Sequence, residues 1–145
     1  MADIVDRKTR SRMMAGIRSK DTRPELQVRR FLHSHGFRYR LHEKKLPGTP
    51  DIVLPKYNLV IFVHGCFWHR HAGCPLATMP DQNRDQWMRK FSRNLIRDKV
   101  QMERLVNLGW RVLVIWECGL KNRLNSLTWL IEFVKHEQIS FHEWP

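Results

Sequence analysis

The chain has 145 residues, 42% of them hydrophobic, with a formal net charge of +12 and three cysteines. That length suffices for one domain with its own core. No apolar run approaches the ~20 residues of a membrane span, and an odd cysteine count argues against a disulfide framework.

The first 40 residues hold eleven Lys/Arg against four acids. Charge gathered in this way is the footprint of a phosphate-backbone binder, although a solvated basic face would look the same. The opening MADIVDRKTRSRMM has no apolar h-region, so a cytoplasmic protein is expected. Residues 7–20 can form a short basic helix with Met13, Met14 and Ile17 on one side. Thr22-Arg-Pro-Glu25 is a capping box with proline in the first turn. It opens a helix to about His35 that Gly36 closes, with Leu26, Phe31 and Leu32 as its apolar contacts. FRYRL, DIVLP and NLVIFV then read as strands, separated by the turns LPGTP and KYN. NLVIFV is nearly continuous in apolar residues, as a strand buried on both faces requires. A long helix from about Asn83 to Leu108 carries Trp87, Phe91, Leu95, Met102 and Leu105 as its core stripe, and Gly109 ends it. RVLVIW is a second buried strand, and a last helix runs from about Asn125 to His136. The expected architecture is α/β, a mixed central sheet flanked by helices.

The segment HGCFWHRHAGC, residues 64–74, concentrates the chemistry. Cys66, His71 and Cys74 have the spacing C-x4-H-x2-C, and Cys118 follows directly on RVLVIWE. If the two apolar strands are neighbours, their ends meet and Cys118 completes a Cys3His set suited to zinc. Four protein ligands make a closed structural site, so any chemistry falls to other residues. The alternative is that the thiols are small buried hydrophobes. Asp51, after LPGTP, sits where a carboxylate can hold a hard cation such as Mg²⁺, or where it merely stabilises a turn. The next strand ends at Val63-His64, which offers the Val63 carbonyl as a second ligand and His64 near a phosphate. Asp98 falls on the stripe of the long helix, where an acid needs a partner. His69 is one candidate, and the pair would orient the ring as a general base; a salt bridge to a basic residue is the other. Glu25 belongs to the capping box and could also serve as an outer-shell acceptor. Phe67, Trp68 and Trp87, like Met14 and Ile17, are either core packing or wedges for stacking on bases.

The chain resembles the very short patch repair (Vsr) DNA mismatch endonuclease family. The resemblance lies in Thr-Arg-Ser at 9–11 with Met14 and Ile17, D-T-x-x-E at 21–25, LPGTPD at 46–51, VIFVHGCFWHRHAGC at 60–74, N-x-x-R-D at 94–98 and LGWRVLVIWEC at 108–118. It implies a restriction-endonuclease-like fold with a structural zinc, residues 1–145 forming one endonuclease domain and residues 1–20 its basic DNA-contacting helix. It implies Mg²⁺-dependent nicking of double-stranded DNA on the strand 5′ to the thymine of a T:G mismatch, which arises when 5-methylcytosine deaminates. Asp51 then binds Mg²⁺, His69 is the base supported by Asp98, and Glu25 and His64 contact water or phosphate at the metal. Phe67, Trp68 and Trp87 wedge beside the mismatch, with Met14 and Ile17 entering from the other groove. A monomer is expected, functionally linked to a cytosine-5 methyltransferase and to mismatch repair proteins. Val63 departs from the threonine familiar at that position, which a carbonyl ligand tolerates. Beyond about residue 121 there is no match. Two other functions are compatible with the residues: a restriction-type endonuclease cutting unmodified duplex, and a zinc-stabilised DNA-binding module without catalysis.

Overall fold

A computed structural model of the protein describes residues 21–145; the expected basic helix with Met13, Met14 and Ile17 lies outside the described residues. In chain order the elements are α1 (Arg23–Ser34), β1 (Arg40–Leu41), β2 (Ile52–Leu54), a 3₁₀ turn (Pro55–Tyr57), β3 (Leu59–His64), α2 (Arg84–Asn107), β4 (Arg111–Trp116), α3 (Glu117–Lys121), α4 (Thr128–His136) and β5 (Phe141–Trp144). The strands form one sheet in the order β1-β2-β3-β4-β5. The β1–β2 and β2–β3 pairs are antiparallel, and β3–β4 and β4–β5 are parallel.

Local chemistry explains the boundaries. Thr22 caps α1 by accepting from the Glu25 N–H at 3.4 Å, but the Glu25 carboxylate reaches back one residue further than a capping box requires, to the Asp21 N–H at 2.8 Å. Gly36 takes φ +81° past the end of α1. There its N–H meets the His33 carbonyl and the Phe37 N–H meets Leu32, which satisfies the last turn.

Alternation along the central strands divides the core in two. Leu59 and Ile61 of β3 and Leu113 and Ile115 of β4 face Val28 and Leu32 of α1 and Leu130, Phe133 and Val134 of α4. Val60, Phe62, Val112, Val114 and Trp116 face Met102, Leu105 and Val106 of α2. The sheet is thus covered on both faces, which is why NLVIFV and RVLVIW carry almost no polar residues. Gly48, at φ +75°, tucks the LPGTP turn against this second layer. A Cβ there would meet the tip of Phe62 at 3.2 Å and Gln101 at 3.1 Å.

Several expectations need correction. Only Arg40–Leu41 of FRYRL pairs as a strand, because its partner β2 is itself short. Val28, not Leu26, is the buried apolar residue of α1 beside Leu32. Leu95 does not join the core: it is 47% exposed and lines an open cleft. The last helix starts at Thr128 rather than Asn125, and Glu117–Lys121 forms a short helix of its own. Residues 141–144 add a fifth strand to the sheet that nothing in the sequence reading anticipated.

Arg111 opens β4 and fastens the lower end of the sheet. Its guanidinium donates to the carbonyls of Tyr57 (3.0 and 3.3 Å), Phe133 (3.1 Å) and Val134 (2.9 Å). The last two belong to the final turn of α4, where carbonyls run short of helical donors; Phe133 also accepts from the Glu137 N–H at 3.3 Å. Replacing Arg111 by alanine is expected to lower the unfolding free energy by about 2–4 kcal/mol in urea titrations, and lysine should recover only part, since one ammonium cannot span the same carbonyls.

Candidate active site and metal centre

Parallel pairing brings His64, the last residue of β3, opposite Trp116, the last of β4. The segments that leave these two ends, Gly65–Cys74 and Glu117–Cys118, enter the same space. The Glu117 carboxylate ties them by accepting from the Cys66 N–H at 3.0 Å. Ligand atoms of Cys66, His71, Cys74 and Cys118 all lie within 4.8 Å of one another. The Nδ1 of His71 is 3.7 Å from the Cys66 Sγ and 3.4 Å from the Cys118 Sγ. A tetrahedral ion with thiolate and imidazole bonds near 2.0–2.3 Å needs ligand atoms about 3.5–3.8 Å apart, so the donor set fits one. All three thiols are free. Burial pushes the Cys66 thiol up to about 12 and raises Cys118, whereas the Leu76 N–H and the neighbouring thiols lower Cys74; a cation among the three would favour all of them as thiolates. These four residues could hold a metal.

The second constellation lies on the α2 side of the sheet. His64, almost fully buried, stacks flat on His69 with ring centroids 3.7 Å apart and planes 6° from parallel. His69 Nδ1 lies 2.6 Å from the Asp98 Oδ2. The loop that carries His69 is held by its own N–H on the Gly65 carbonyl and by Asn94, which donates to the Trp68 carbonyl at 3.3 Å. Burial, followed by the neighbouring His69, lowers the His64 pKa well below 6.5, so His64 is neutral at pH 7. A cleft of about 660 Å³ opens beside the row, with Leu95, Trp116 and Phe141 among its walls.

Asp51 immediately precedes β2. Its Oδ2 accepts from the Val63 N–H at 2.8 Å. The N–H and carbonyl of one strand residue leave the strand on the same side, so the Val63 carbonyl shares this edge with Asp51. Glu25 is the neighbouring carboxyl and is 2% exposed. His42 Nε2 reaches Glu25 at 2.9 Å, and Arg29 bonds Asp21 at 2.8 Å while lying 3.8 Å from Glu25. Burial, with the Glu25 charge adding to it, pushes the Asp51 carboxyl from 3.8 up to about 8, although the Val63 N–H and Arg29 pull the other way. Two buried carboxyls side by side favour one shared proton or a bound cation.

Phe67, Trp68 and Trp87 gather into one half-buried cluster. Ring centroids are 5.0 Å apart for Phe67–Trp68, 5.6 Å for Phe67–Trp87 and 5.9 Å for Trp68–Trp87. The Lys90 ammonium lies 5.2 Å from the Trp68 ring and 5.6 Å from Trp87.

The structure therefore brings together the thiol set, the His64–His69–Asp98 row, the Asp51–Glu25–Val63 corner and the aromatic trio. Met14 and Ile17 lie outside the described residues. Sequence reasoning missed His42, Glu117 and Trp116. His42 has a left-handed backbone at φ 47° and an N–H on the Asp51 carbonyl, but no local motif marks it.

The model of the family described as DNA mismatch endonuclease Vsr matches residues 2–74, which include Asp51 and the histidine-rich loop. A type II nicking enzyme of Xanthomonas oryzae pv. oryzae is 49% identical over 122 residues, covering 84% of this chain and 89% of that protein. A type II nicking enzyme of Neisseria meningitidis is 46% identical, covering 85% and 87%. The DNA mismatch endonuclease Vsr of Escherichia coli is 43% identical over 123 residues, covering 85% and 78%. The chain belongs to the Vsr family. It is a DNA mismatch endonuclease, and a binding module without catalysis is set aside. Vsr-family membership makes DNA the substrate, in keeping with the surplus of basic residues. No helix among the described residues is long and apolar enough to cross a membrane.

Asp51 gives this corner a pH signature. Its folded pKa is raised, so the stability it contributes is full below 3.8 and is lost as pH rises through about 8. Asp51→Asn keeps an acceptor for the Val63 N–H and cannot ionise. Without added Mg²⁺, its melting temperature should exceed that of the native chain by a margin that widens from pH 4 to pH 8. A margin constant across that range would place Asp51 in an ordinary carboxylate environment.

Proposed function

We propose that the chain nicks double-stranded DNA on the strand 5′ to the thymine of a T:G mismatch, the deamination product of 5-methylcytosine, in very short patch repair. The observation that carries this reading is the 2.6 Å contact between His69 and Asp98 beside the aromatic trio. A carboxylate on Nδ1 selects the tautomer with its proton there and leaves Nε2 as the base for an attacking water. His64, kept neutral by burial, backs His69 and faces the scissile phosphate. Asp51 and the Val63 carbonyl form the Mg²⁺ site, and Glu25 supports it from the outer shell. When bound, Mg²⁺ neutralises charge developing on the phosphate and the leaving oxygen. The buried pair of carboxyls, one of them carrying an extra proton at pH 7, supports a cation at this corner.

Zn²⁺ is the ion that suits Cys66, His71, Cys74 and Cys118. Held by four protein ligands, it would be structural rather than catalytic and would stiffen the loop that presents Phe67, Trp68 and His69. Phe67, Trp68 and Trp87 wedge beside the mismatch, with Lys90 supplying charge near the phosphates. Met14 and Ile17, in the basic segment of residues 1–20, enter from the other groove. Inserting rings is cheapest where stacking is already weak, which gives selectivity for a mismatch a physical source. In this reading the sheet and its helices form a restriction-endonuclease-like fold, and residues 1–145 act as one domain and as a monomer. A single active site fits nicking better than cutting both strands. The protein works in the cytoplasm, linked to a cytosine-5 methyltransferase and to mismatch repair proteins.

Labelled duplexes test the substrate. With Mg²⁺, the T:G duplex should be nicked and the T:A duplex left intact, and EDTA should stop the reaction; equal cutting of both would favour the restriction reading. Asp51→Ala should slow nicking roughly 10³-fold or more, about 4 kcal/mol, while DNA binding and zinc content stay native. The metal centre answers to a separate measurement: Cys118→Ser should release zinc and lower the melting temperature, and an unchanged metal content would remove Cys118 from the site.

A further inference from the structure

One indole stands between the thiol cluster and the histidine row. Trp116 is 6% exposed. One of its contacts is flat: His71 lies on it with centroids 4.3 Å apart and planes 8° from parallel. The other is edgewise: His64 meets it at 5.2 Å and 72°. His64 in turn lies flat on His69, and His69 bonds Asp98. Ring contacts therefore run without a gap from a ligand of the metal centre to the carboxylate on α2. The backbone fixes the start of this row, because His64 and Trp116 are paired across the parallel strands.

The choice of residue is itself informative. The Trp116 Nε1 is buried without a hydrogen-bond partner. Leucine would occupy an apolar site beneath α2 without stranding a donor. What the indole adds is a broad flat face for one imidazole and a defined edge for a second, an arrangement aromatic rings favour and aliphatic side chains do not provide. Phe62 alone cannot replace it, since that ring lies 5.6 Å from His64 and touches the row at one point.

We propose that Trp116 is a positioning residue, a ring that spaces His71 from His64 and so fixes the plane on which His69 stacks. It carries the rigidity of the metal centre to the base. Phosphodiester hydrolysis needs the Nε2 of His69 held in line with its water, and small displacements of such a group are costly. The proposal rests on the reading of His69 as the base.

The test compares Trp116→Leu, Trp116→Phe and His69→Ala in the full-length, zinc-loaded protein. For each, zinc per chain, melting temperature, affinity for the T:G duplex and the single-turnover nicking rate at saturating DNA are measured. Trp116→Leu should lower the single-turnover rate about 10–100-fold, with zinc content native and DNA affinity within about threefold. Trp116→Phe, which keeps a flat ring against His71, should recover most of that rate. A native rate in Trp116→Leu overturns the proposal. So does a rate that falls alike in both variants, or that follows zinc content or melting temperature instead of ring shape; Trp116 would then be packing alone. His69→Ala nicking at the native rate would remove the base and the proposal with it. An inactive His69→Ala beside a fully active Trp116→Leu would remove the proposal and leave the base in place.

Discussion

The parallel pairing of β3 with β4 is the constraint from which the site follows. Both strands are apolar runs that require cover on both faces, and a parallel pair requires a crossover long enough to return the chain to the same end of the sheet. The crossover here contains the histidine-rich loop and the long helix α2. Because His64 and Trp116 end their strands at one level, Cys66 and Cys118 emerge side by side although 51 positions separate Cys66 from Glu117, the residue that bonds it. The same crossover lays Asp98 over the loop, within reach of His69. One register thus assembles the thiol cluster, and one helix completes the histidine row.

Electrostatics at this sheet end are set by ionisable groups packed close together. Three thiols are packed together, two of them with raised pKa. An aspartate lies beside a buried glutamate and holds its proton to about pH 8, and a buried histidine stays neutral. A metal ion at the thiols would make those groups favourable ligands. His42, at 2.9 Å, and Arg29, at 3.8 Å, are the partners of the buried Glu25 carboxyl.

Patterns with a short physical range were legible in the sequence. The two apolar strands, the long helix, the Thr22 cap and the Gly36 stop all follow from periodicity and end chemistry. The Cys3His set was readable because a strand-end argument could place Cys118. What escaped depended on partners distant in sequence. Leu95 fits a helical stripe, but it lines an open cleft facing Trp116 and Phe141 and so stays exposed. Glu25 looked like a cap residue and proved also to be a partner of His42, 17 positions away. Trp116 reads as one more apolar residue of RVLVIW; only the pairing with His64 and the stack on His71 separate it from its neighbours. Strand β5 has the sequence FHEW, too mixed and too short to announce itself, and it forms because β4 offers an open edge.

That fifth strand protects the molecule from its own kind. Without Phe141–Trp144, the edge of β4 would display a row of free N–H and carbonyl groups flanked by Val112, Val114 and Ile115, the template on which strands of neighbouring copies add and aggregates grow. A tail with no share in the family motifs thus keeps a strongly apolar central strand from becoming a seed for self-association.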